Sequence, residues 1–347
     1  MRRGKLKIGL IARSEYARGL AIQSKNFYDH MPVDRVLLIH MPNPDCALRD
    51  DWYPNATVMD SLPGHTLNQD KVMGWMNGLD VVFSVETPYD WDLPNWARWI
   101  GVKTVIQGNP EFVRHGQPEY DHFAHPDEWW WPTSWRTNRL PPGRVMPVPM
   151  PDCPVSAAPA YDGPLRIYHI AGKRAYADRN GTDIFIDMLR ALQPDIQVTV
   201  HGLEHSLPTI QPVRDLHIEI ENIGVPNQWD MHTGQHVLVM PRRYGGLCLP
   251  ALEATACGAA VVMPDISPNS ELAPILVPSM PGRRLRLAAG EAVSADVHHY
   301  ALAQEINALA NNRDKLLHMQ QTAYRMTPRW SEWAPKYMQA FEELCAR

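Results

Sequence analysis

Apolar positions along this chain follow two alternating rhythms. Short, nearly unbroken apolar runs suit strands buried on both faces: LKIGLIA (6–12), VDRVLLIH (33–40), LDVVFSV (79–85) and VKTVIQG (102–108). Between them, LAIQSKNFYDHM (20–31), DKVMGWMNG (70–78) and LPNWARWIG (93–101) repeat apolar residues at helical spacing, with Gly101 suited to a helix end. RSEYARG (13–19) reads as a polar loop and ATVMD (56–60) as a short strand. WWWPTSWRTNRL (129–140) and RVMPVPMP (144–151) close this half. Strand and helix in alternation predict a parallel sheet with helices on both faces.

A stretch rich in proline and small residues, PDCPVSAAPAYDGP (151–164), breaks the pattern and reads as a linker. The alternation then restarts. LRIYHIAG (165–172), IQVTVHG (196–202), LHIEIEN (216–222) and HVLVMP (236–241) suit strands, and GTDIFIDMLRALQ (181–193) a helix. VHHYALAQEINALANN (297–312), RDKLLHMQQTAYRM (313–326) and WSEWAPKYMQAFEELCAR (330–347) read as terminal helices. The expected organisation is an α/β first domain over 1–152, an α/β second domain over 163–329 and a last helix over 330–347. A length of 347 residues fits two such domains.

Composition narrows the function. A net charge of −5 sets up no global basic field for nucleic acid or anionic membrane. Only short basic clusters stand out, RRLR (283–286) and Arg242–Arg243, and such clusters are commonly solvated faces. No apolar stretch is long enough to span a bilayer. MRRGKLKIGLIAR has too short an apolar run for a signal-peptide core and reads as a first strand. The cysteines Cys46, Cys153, Cys248, Cys257 and Cys345 are odd in number and contain no C-x-x-C pair. A disulfide framework is therefore not expected, which points to a reducing, cytoplasmic compartment. Tryptophan is abundant, and WWW at 129–131 has two readings: packing at a domain edge, or aromatic surface for stacking sugars or bases.

The densest chemistry lies in PRRYGGLCLPALEATACGAAVVMPDISPNSE (241–271). After the strand HVLVMP, Gly245 and Gly246 permit a sharp turn and close approach of a ligand. Pro250 suits the first turn of the next helix and Gly258 its end. Backbone N–H groups left free at such a turn attract phosphate or sugar oxygen. Glu253, just inside the helix, offers a carboxylate to ligand hydroxyls. Earlier, GKRAYADRNG (172–181) follows a strand and gathers Lys173, Arg174 and Arg179 beside a helix start, which suits a diphosphate.

Tyr244, Gly246, Leu249, Pro250, Glu253, Ala254, Ala256, Gly258, Val261 and Val262 match the Y-E-G-F-G-L-P-x-x-E-A-x-A-x-G-x-P-V-V pattern of glycosyltransferase family 4. The chain thus resembles retaining glycosyltransferases of the GT-B fold. RRYGGLCLP and SVETPYDW are most similar to bacteriophage-type members and related bacterial sequences. The resemblance implies an α/β fold of two doubly wound Rossmann-like domains facing across a cleft. The last helix would cross back to the first domain. The second domain would hold a nucleotide-sugar, a UDP-sugar being expected, as co-substrate without a permanent cofactor. Gly172, Lys173 and Arg179 match the family's G-R-…-K-G loop, with the residue types exchanged, and would hold the donor diphosphate. Tyr244, Gly245, Gly246, Leu247, Cys248 and Leu249 would line the donor, and Glu253 would take the ribose hydroxyls. Gly19 matches the first-domain glycine loop, where Arg18 would add charge. The family's first glutamate falls at Gly245, so one sugar contact is absent.

Further carboxylates follow strands of the first half. Glu86, in SVETPYDW (84–91), could orient an acceptor hydroxyl or take its proton, or could cap the following turn. Glu111 is a weaker candidate of the same kind. DWD (90–92) mimics a metal-binding Asp-x-Asp, and HGLEH (201–205) and His298–His299 hold paired histidines, but their settings do not suit a metal pair, and none is expected.

The implied reaction is retaining transfer by front-face attack, assisted by the leaving phosphate. The acceptor is open between a hydroxymethylated pyrimidine in phage DNA and a virion protein or surface glycan. DNA would need a basic or stacking face, for which Arg13, Lys25, Arg114, Arg136, Arg139 and the WWW run are candidates. An inactive nucleotide-sugar-binding protein is the reading from outside catalysis. An epimerase or a phosphorylase are the other enzyme classes.

Overall fold

In a computed structural model, residues 5–13, 19–40, 50–61, 66–110, 113, 124–135, 137, 140–172, 178–202, 208–213, 216–222, 228–287 and 290–347 are described. The chain divides into two compact units: Met1–Pro151 with Pro328–Arg347, and Asp152–Thr327.

The first unit is built on seven parallel strands: β1 (Ile8–Arg13), β2 (Val33–His40), β3 (Thr57–Asp60), β4 (Val81–Val85), β5 (Lys103–Gln107), β6 (Glu128–Trp131) and β7 (Gly143–Val145). Their order is β3-β2-β1-β4-β5-β6-β7. The helices are α1 (Gly19–His30), α2 (Gln69–Met76), α3 (Leu93–Trp99) and the C-terminal α8 (Trp330–Cys345). Strands β1 and β4 are buried almost throughout, which is why their sequences are apolar at nearly every position.

Helix α8 belongs to this unit because its apolar stripe completes the unit's core. Trp330, Tyr337, Ala340, Phe341 and Leu344 are buried against Phe27, Phe83 and Trp130. The Phe27 and Phe83 rings stack at 4.2 Å, and Phe341 lies 4.7 Å from Trp130. One buried polar network crosses this core. Gln107 Nε2 donates to the Met146 carbonyl at 2.7 Å and to the Tyr337 hydroxyl at 2.9 Å, and its Oε1 accepts from Gln23 at 2.8 Å. Tyr337 in turn donates to the Pro147 carbonyl at 2.9 Å. The members satisfy one another, so their hydrogen bonds offset the cost of desolvation and the network rigidifies the core.

The tryptophan run resolves toward packing. Trp129, Trp130 and Trp131 form β6 and are all buried. Trp129 and Trp131 stack on each other at 5.2 Å on one face of the sheet, and Trp130 meets Tyr337 and Phe341 on the other. They offer no stacking surface to an acceptor. Strand alternation turns three consecutive indoles into two core faces. Of the candidate basic residues, Lys25 pairs with Asp29 in the next turn of α1, and Arg114, Arg136 and Arg139 lie outside the described residues.

The second unit has six parallel strands: β8 (Arg166–Ile170), β9 (Gln197–Gly202), β10 (His217–Asn222), β11 (Val237–Val239), β12 (Ala260–Pro264) and β13 (Ile275–Val277), in the order β10-β9-β8-β11-β12-β13. Its helices are α4 (Thr182–Met188), α5 (Leu249–Ala256), α6 (His299–Asn311) and α7 (Arg313–Met326). An antiparallel hairpin of β14 (Ser279–Leu287) and β15 (Gly290–Val297) carries the RRLR cluster, with Arg283, Arg284 and Arg286 exposed. Its strands were not foreseen.

The expectation of unpaired cysteines is overturned. Cys153 and Cys257, 104 residues apart, form a disulfide with Cα atoms 5.3 Å apart. The proline-rich stretch after residue 151 is pinned along the second unit. Ala157 N–H donates to the Cys257 carbonyl at 2.9 Å, and Gln320 reaches the Ala158 carbonyl at 2.8 Å. Such a pairing is set by tertiary placement and has no signature in local spacing. The compartment argument from unpaired cysteines loses that support. Cys248 and Cys345 are free thiols, and Cys46 lies outside the described residues. Among the described residues no helix is long and apolar enough to cross a membrane.

Replacing Tyr337 by Phe removes the buried hydroxyl that Gln107 and Pro147 share. The expected cost is about 1–3 kcal/mol. Every tryptophan except Trp229 lies in the first unit, so urea unfolding followed by tryptophan fluorescence reads this change selectively. An unchanged midpoint would show that the network contributes nothing.

Candidate functional site

In each sheet the first strand of the unit has its successor on one side and a strand reached by a crossover on the other. In the second unit that switch lies between β8 and β11, paired through Val237 with Ile167 and Leu238 with Tyr168. In such sheets ligands bind beyond the carboxyl ends of the strands at the switch. The described residues there are 171–172 and 178–181 after β8 and 240–248 after β11, within the two segments that carry the sequence motifs.

A backbone bond joins the two segments, and a side-chain bond ties the first to its own strand. Arg243 N–H donates to the Arg179 carbonyl at 2.9 Å, and Asn180 Nδ2 donates to the Ile170 carbonyl at 3.0 Å. Gly181 has φ +73°, and a Cβ there would sit 2.0 Å from the Pro241 carbonyl oxygen. Only glycine permits this approach of the two loops. Beneath them the buried His169 spans the switch. Its Nδ1 donates to the Val239 carbonyl at 2.9 Å, and its Nε2 accepts from the Thr182 hydroxyl at 2.9 Å.

Arg179 is half-buried at the rim of the first loop. Lys173 and Arg174 lie outside the described residues, and Gly172 is half-buried just before them. One expectation fails here: the N-terminus of α4 does not offer its N–H groups to an anion. The Asp178 carboxylate already accepts from Thr182 N–H at 2.8 Å and Asp183 N–H at 3.1 Å. Arg243 is likewise committed, with Nη1 2.6 Å from Asp296 and Nη2 3.7 Å from Asp178. The sequence reading missed Asp178 and Asn180 and took Arg243 for part of a solvated basic cluster, although an Asp four residues before Thr182 was a visible capping signal.

The other helix start differs. At α5 no side chain caps the N-terminus at Cys248, and proline occupies the first turn. The preceding turn is buried at Tyr244, Gly245, Gly246 and Cys248, and half-buried at Leu247. Buried Arg242 holds it by donating to the Leu247 carbonyl. Gly245 has φ +116°, a conformation in which side-chain-bearing residues are strained. The backbone here therefore accounts for glycine where the family pattern has glutamate. Leu249 opens the helix and is buried.

Glu253 is only 2% exposed. Its Oε2 lies 3.7 Å from Nε2 of His232, itself fully buried, and its Oε1 has no hydrogen-bond partner in the protein. His232 Nδ1 sits 2.6 Å from the Tyr168 hydroxyl. Nearby, His201 Nδ1 is 2.9 Å from Glu221. Burial pushes the His201 imidazole down to about 4, with His232 adding to the effect. Neither His232 nor Tyr168 was singled out from sequence, and His201 was named only as half of the HGLEH pair.

In the first unit the switch falls between β1 and β4. Gly19 begins α1 after β1, and Glu86 follows β4, so the chain order puts both at this switch. Arg18 lies outside the described residues. Glu86 is half-buried with φ +69°, rare for glutamate, and its N–H donates to the Gln107 carbonyl at 2.8 Å. Asp90 of the DWD triplet is buried and accepts from Leu67 N–H at 2.9 Å and Asp92 N–H at 3.0 Å, which makes it a turn residue. His298 Nδ1 accepts from Tyr300 N–H at the start of α6. Glu111 and His205 lie outside the described residues. Among the described residues no cluster of three or more His, Cys, Asp or Glu suits a metal.

No protein-family model and no curated protein sequence matches this chain. Solved structures do. The Anabaena Alr3699/HepE protein in complex with UDP and glucose is 12% identical, with a TM-score of 0.68 over 98% of this chain and 100% of that one. Sucrose-phosphate synthase from Thermosynechococcus elongatus is 13% identical, with a TM-score of 0.63 over 99% and 100%. The lipopolysaccharide outer core galactosyltransferase WaaB, in its apo form, is 12% identical, with a TM-score of 0.58 over 98% and 99%. At this identity the likeness establishes the fold: two Rossmann-like units of the GT-B class.

Two outcomes are expected at this site. Gly181→Ala forces a Cβ onto the Pro241 carbonyl and should destabilise the second unit by about 2 kcal/mol or more in calorimetric melts. A wild-type melt would mean that the two loops separate freely. The buried histidines set a pH dependence. Burial lowers His169, His201 and His236 to about 4 each. Their unfolded value is about 6.5, so between roughly pH 6.5 and 4 the unfolded chain binds more protons. Stability is full above that window and falls as the pH drops through it, by on the order of 2–3 kcal/mol per histidine. Melting temperatures measured from pH 7.5 to 4.5 test this, and a flat profile refutes it.

Proposed function

We propose that this chain is a glycosyltransferase that moves a sugar from a nucleotide-sugar, a UDP-sugar, to an acceptor hydroxyl. The observation that carries the reading is Glu253: a buried carboxylate with an unpartnered oxygen, on the helix that follows a tight glycine turn at the sheet's switch. A ribose hydroxyl is the kind of donor such an acceptor lacks. The fold likeness to a protein solved with UDP and glucose supports the same choice of ligand.

The second unit binds the donor. Lys173 and Arg179 neutralise the diphosphate, and the uncapped start of α5 with the turn from Tyr244 to Leu249 faces phosphate and sugar. The reaction follows the retaining course of glycosyltransferase family 4. The bond from the sugar anomeric carbon to the β-phosphate oxygen breaks, and the acceptor oxygen bonds to the same face. The acceptor proton passes to the departing phosphate, and UDP leaves. Glu86 is the acceptor-side residue, orienting the attacking hydroxyl. With the charge spread over Arg179, Lys173 and backbone N–H groups, the scheme needs no metal.

The acceptor follows from the resemblance to phage enzymes: a hydroxymethylated pyrimidine in DNA, acted on in the host cytoplasm, with a virion protein or surface glycan as the other choice. The buried tryptophans withdraw the stacking surface that favoured DNA. An inactive binder is the second reading, favoured by the missing glutamate at Gly245.

The test is transfer from radiolabelled UDP- and GDP-sugars to hydroxymethylated DNA, to phage structural protein and to simple glycans. Wild type should transfer or hydrolyse a UDP-sugar, and Glu253→Ala should lose about 100-fold or more in kcat/KM. Arg179→Ala should lose about tenfold or more. UDP binding without turnover of any donor would establish the binder instead.

A further inference from the structure

We propose that Tyr168 and His232 are positioning residues for Glu253, forming a buried chain that aims its carboxyl group at the donor ribose. The inference rests on the donor-site reading above and adds two residues that no sequence motif marks.

The three side chains come from three elements: Tyr168 from β8, His232 from the turn at 230–232 before β11, and Glu253 from α5. All are at least 98% buried. The Tyr168 hydroxyl and His232 Nδ1 are 2.6 Å apart, a short and well-formed bond. Its direction follows from the far side of the ring. If Nδ1 carried the proton, Nε2 would present a bare lone pair to the Glu253 oxygen 3.7 Å away. With Tyr168 as donor, Nε2 carries the hydrogen and faces the carboxyl group with attraction. Burial, and secondarily Glu253, raise the Tyr168 phenol well above its usual range, so the donor keeps its proton.

The chain stops short of closure. At 3.7 Å the His232 to Glu253 approach exceeds hydrogen-bond distance, and neither His232 Nε2 nor Glu253 Oε1 has a hydrogen-bond partner in the protein. Buried polar groups left so are costly and call for an explanation. Here the unpaired acceptor lies on the helix that follows the glycine turn at the switch of the sheet. The open acceptor points to a hydroxyl-bearing ligand. Because Oε1 is enclosed, that hydroxyl arrives with a rotamer change in the covering side chains, a common adjustment on binding.

The experiment compares binding of UDP and of 2′,3′-dideoxy-UDP by calorimetry. The ratio of the two affinities isolates the ribose hydroxyls. Wild type should prefer UDP by about tenfold or more, and Glu253→Gln should collapse the preference. Tyr168→Phe, which frees the tautomer without a change of shape, should cut the ratio at least about threefold and leave the dideoxy affinity unchanged. His232→Leu should cut it further, and His232→Gln, which restores an N–H near the Nε2 position, should recover part of it.

If Glu253→Gln abolishes the preference while Tyr168→Phe and His232→Leu keep it, the positioning chain is overturned and the donor site stands. Equal weakening of both ligands by Tyr168→Phe would show a merely structural role and also overturn it. If wild type binds neither ligand, or Glu253→Gln keeps the preference, the donor-site reading itself fails and the inference falls with it.

Discussion

The pairing of β8 with β11 gives a buried imidazole, His169, two tasks that its neutral form performs together. It donates to the Val239 carbonyl and accepts from Thr182, so one ring fixes a strand end and a helix start at the switch of the sheet. Burial pushes its pKa down to about 4, which keeps Nε2 free to accept at neutral pH. The loops above inherit their positions from this bridge. Gly181 follows Asp178 and meets Pro241, and Pro241 leads into the glycine turn and α5. Glu253 is thereby placed by the sheet, with no reliance on a flexible loop. Sites carried on regular elements hold geometry more tightly than sites on loops alone.

Two buried polar networks, one in each unit, are completed to different degrees. In the first, Gln23, Gln107 and Tyr337 and two carbonyls satisfy one another completely. That network binds α1, β5 and α8 into one core and has no capacity left for a ligand. In the second, Tyr168, His232 and Glu253 leave a donor and an acceptor unpaired. A satisfied network favours a single conformation, whereas an unsatisfied one stores a penalty that a ligand can relieve.

Much of the architecture was legible because parallel strands buried on both faces must be apolar throughout, as VVFSV in β4 and AVVMP in β12 are. The glycine turn and its helix were legible for a related reason: Gly245, Pro250 and Gly258 each have a local conformational consequence. What escaped the sequence depends on distant chain segments. The disulfide of Cys153 with Cys257 arises because the stretch after residue 151 meets the C-terminal end of α5, not because of spacing. His232 and Tyr168 meet Glu253 from two other elements, and neither has a neighbour in sequence that hints at it. The tryptophan run misled in one of its two readings because aromatic surface and aromatic core have the same composition; only the alternation of β6 decides which it is.

Gly245 shows how a departure from a family pattern can have a cause in the backbone. Its φ of +116° makes glutamate unfavourable at the position where the pattern carries one. Restoring the carboxylate there would strain the turn whose carbonyl at Leu247 is held by Arg242. The two features form one local solution: a turn tightened by a buried guanidinium, with a left-handed residue at its start. On the donor-site reading proposed above, a donor held by this turn would lose one carboxylate contact to its sugar and depend more on Glu253 at the ribose and on the cations at the diphosphate. Binding energy in such a site shifts from the sugar to the nucleotide, and discrimination among sugars must then come from shape and from the backbone of the turn rather than from a second charge.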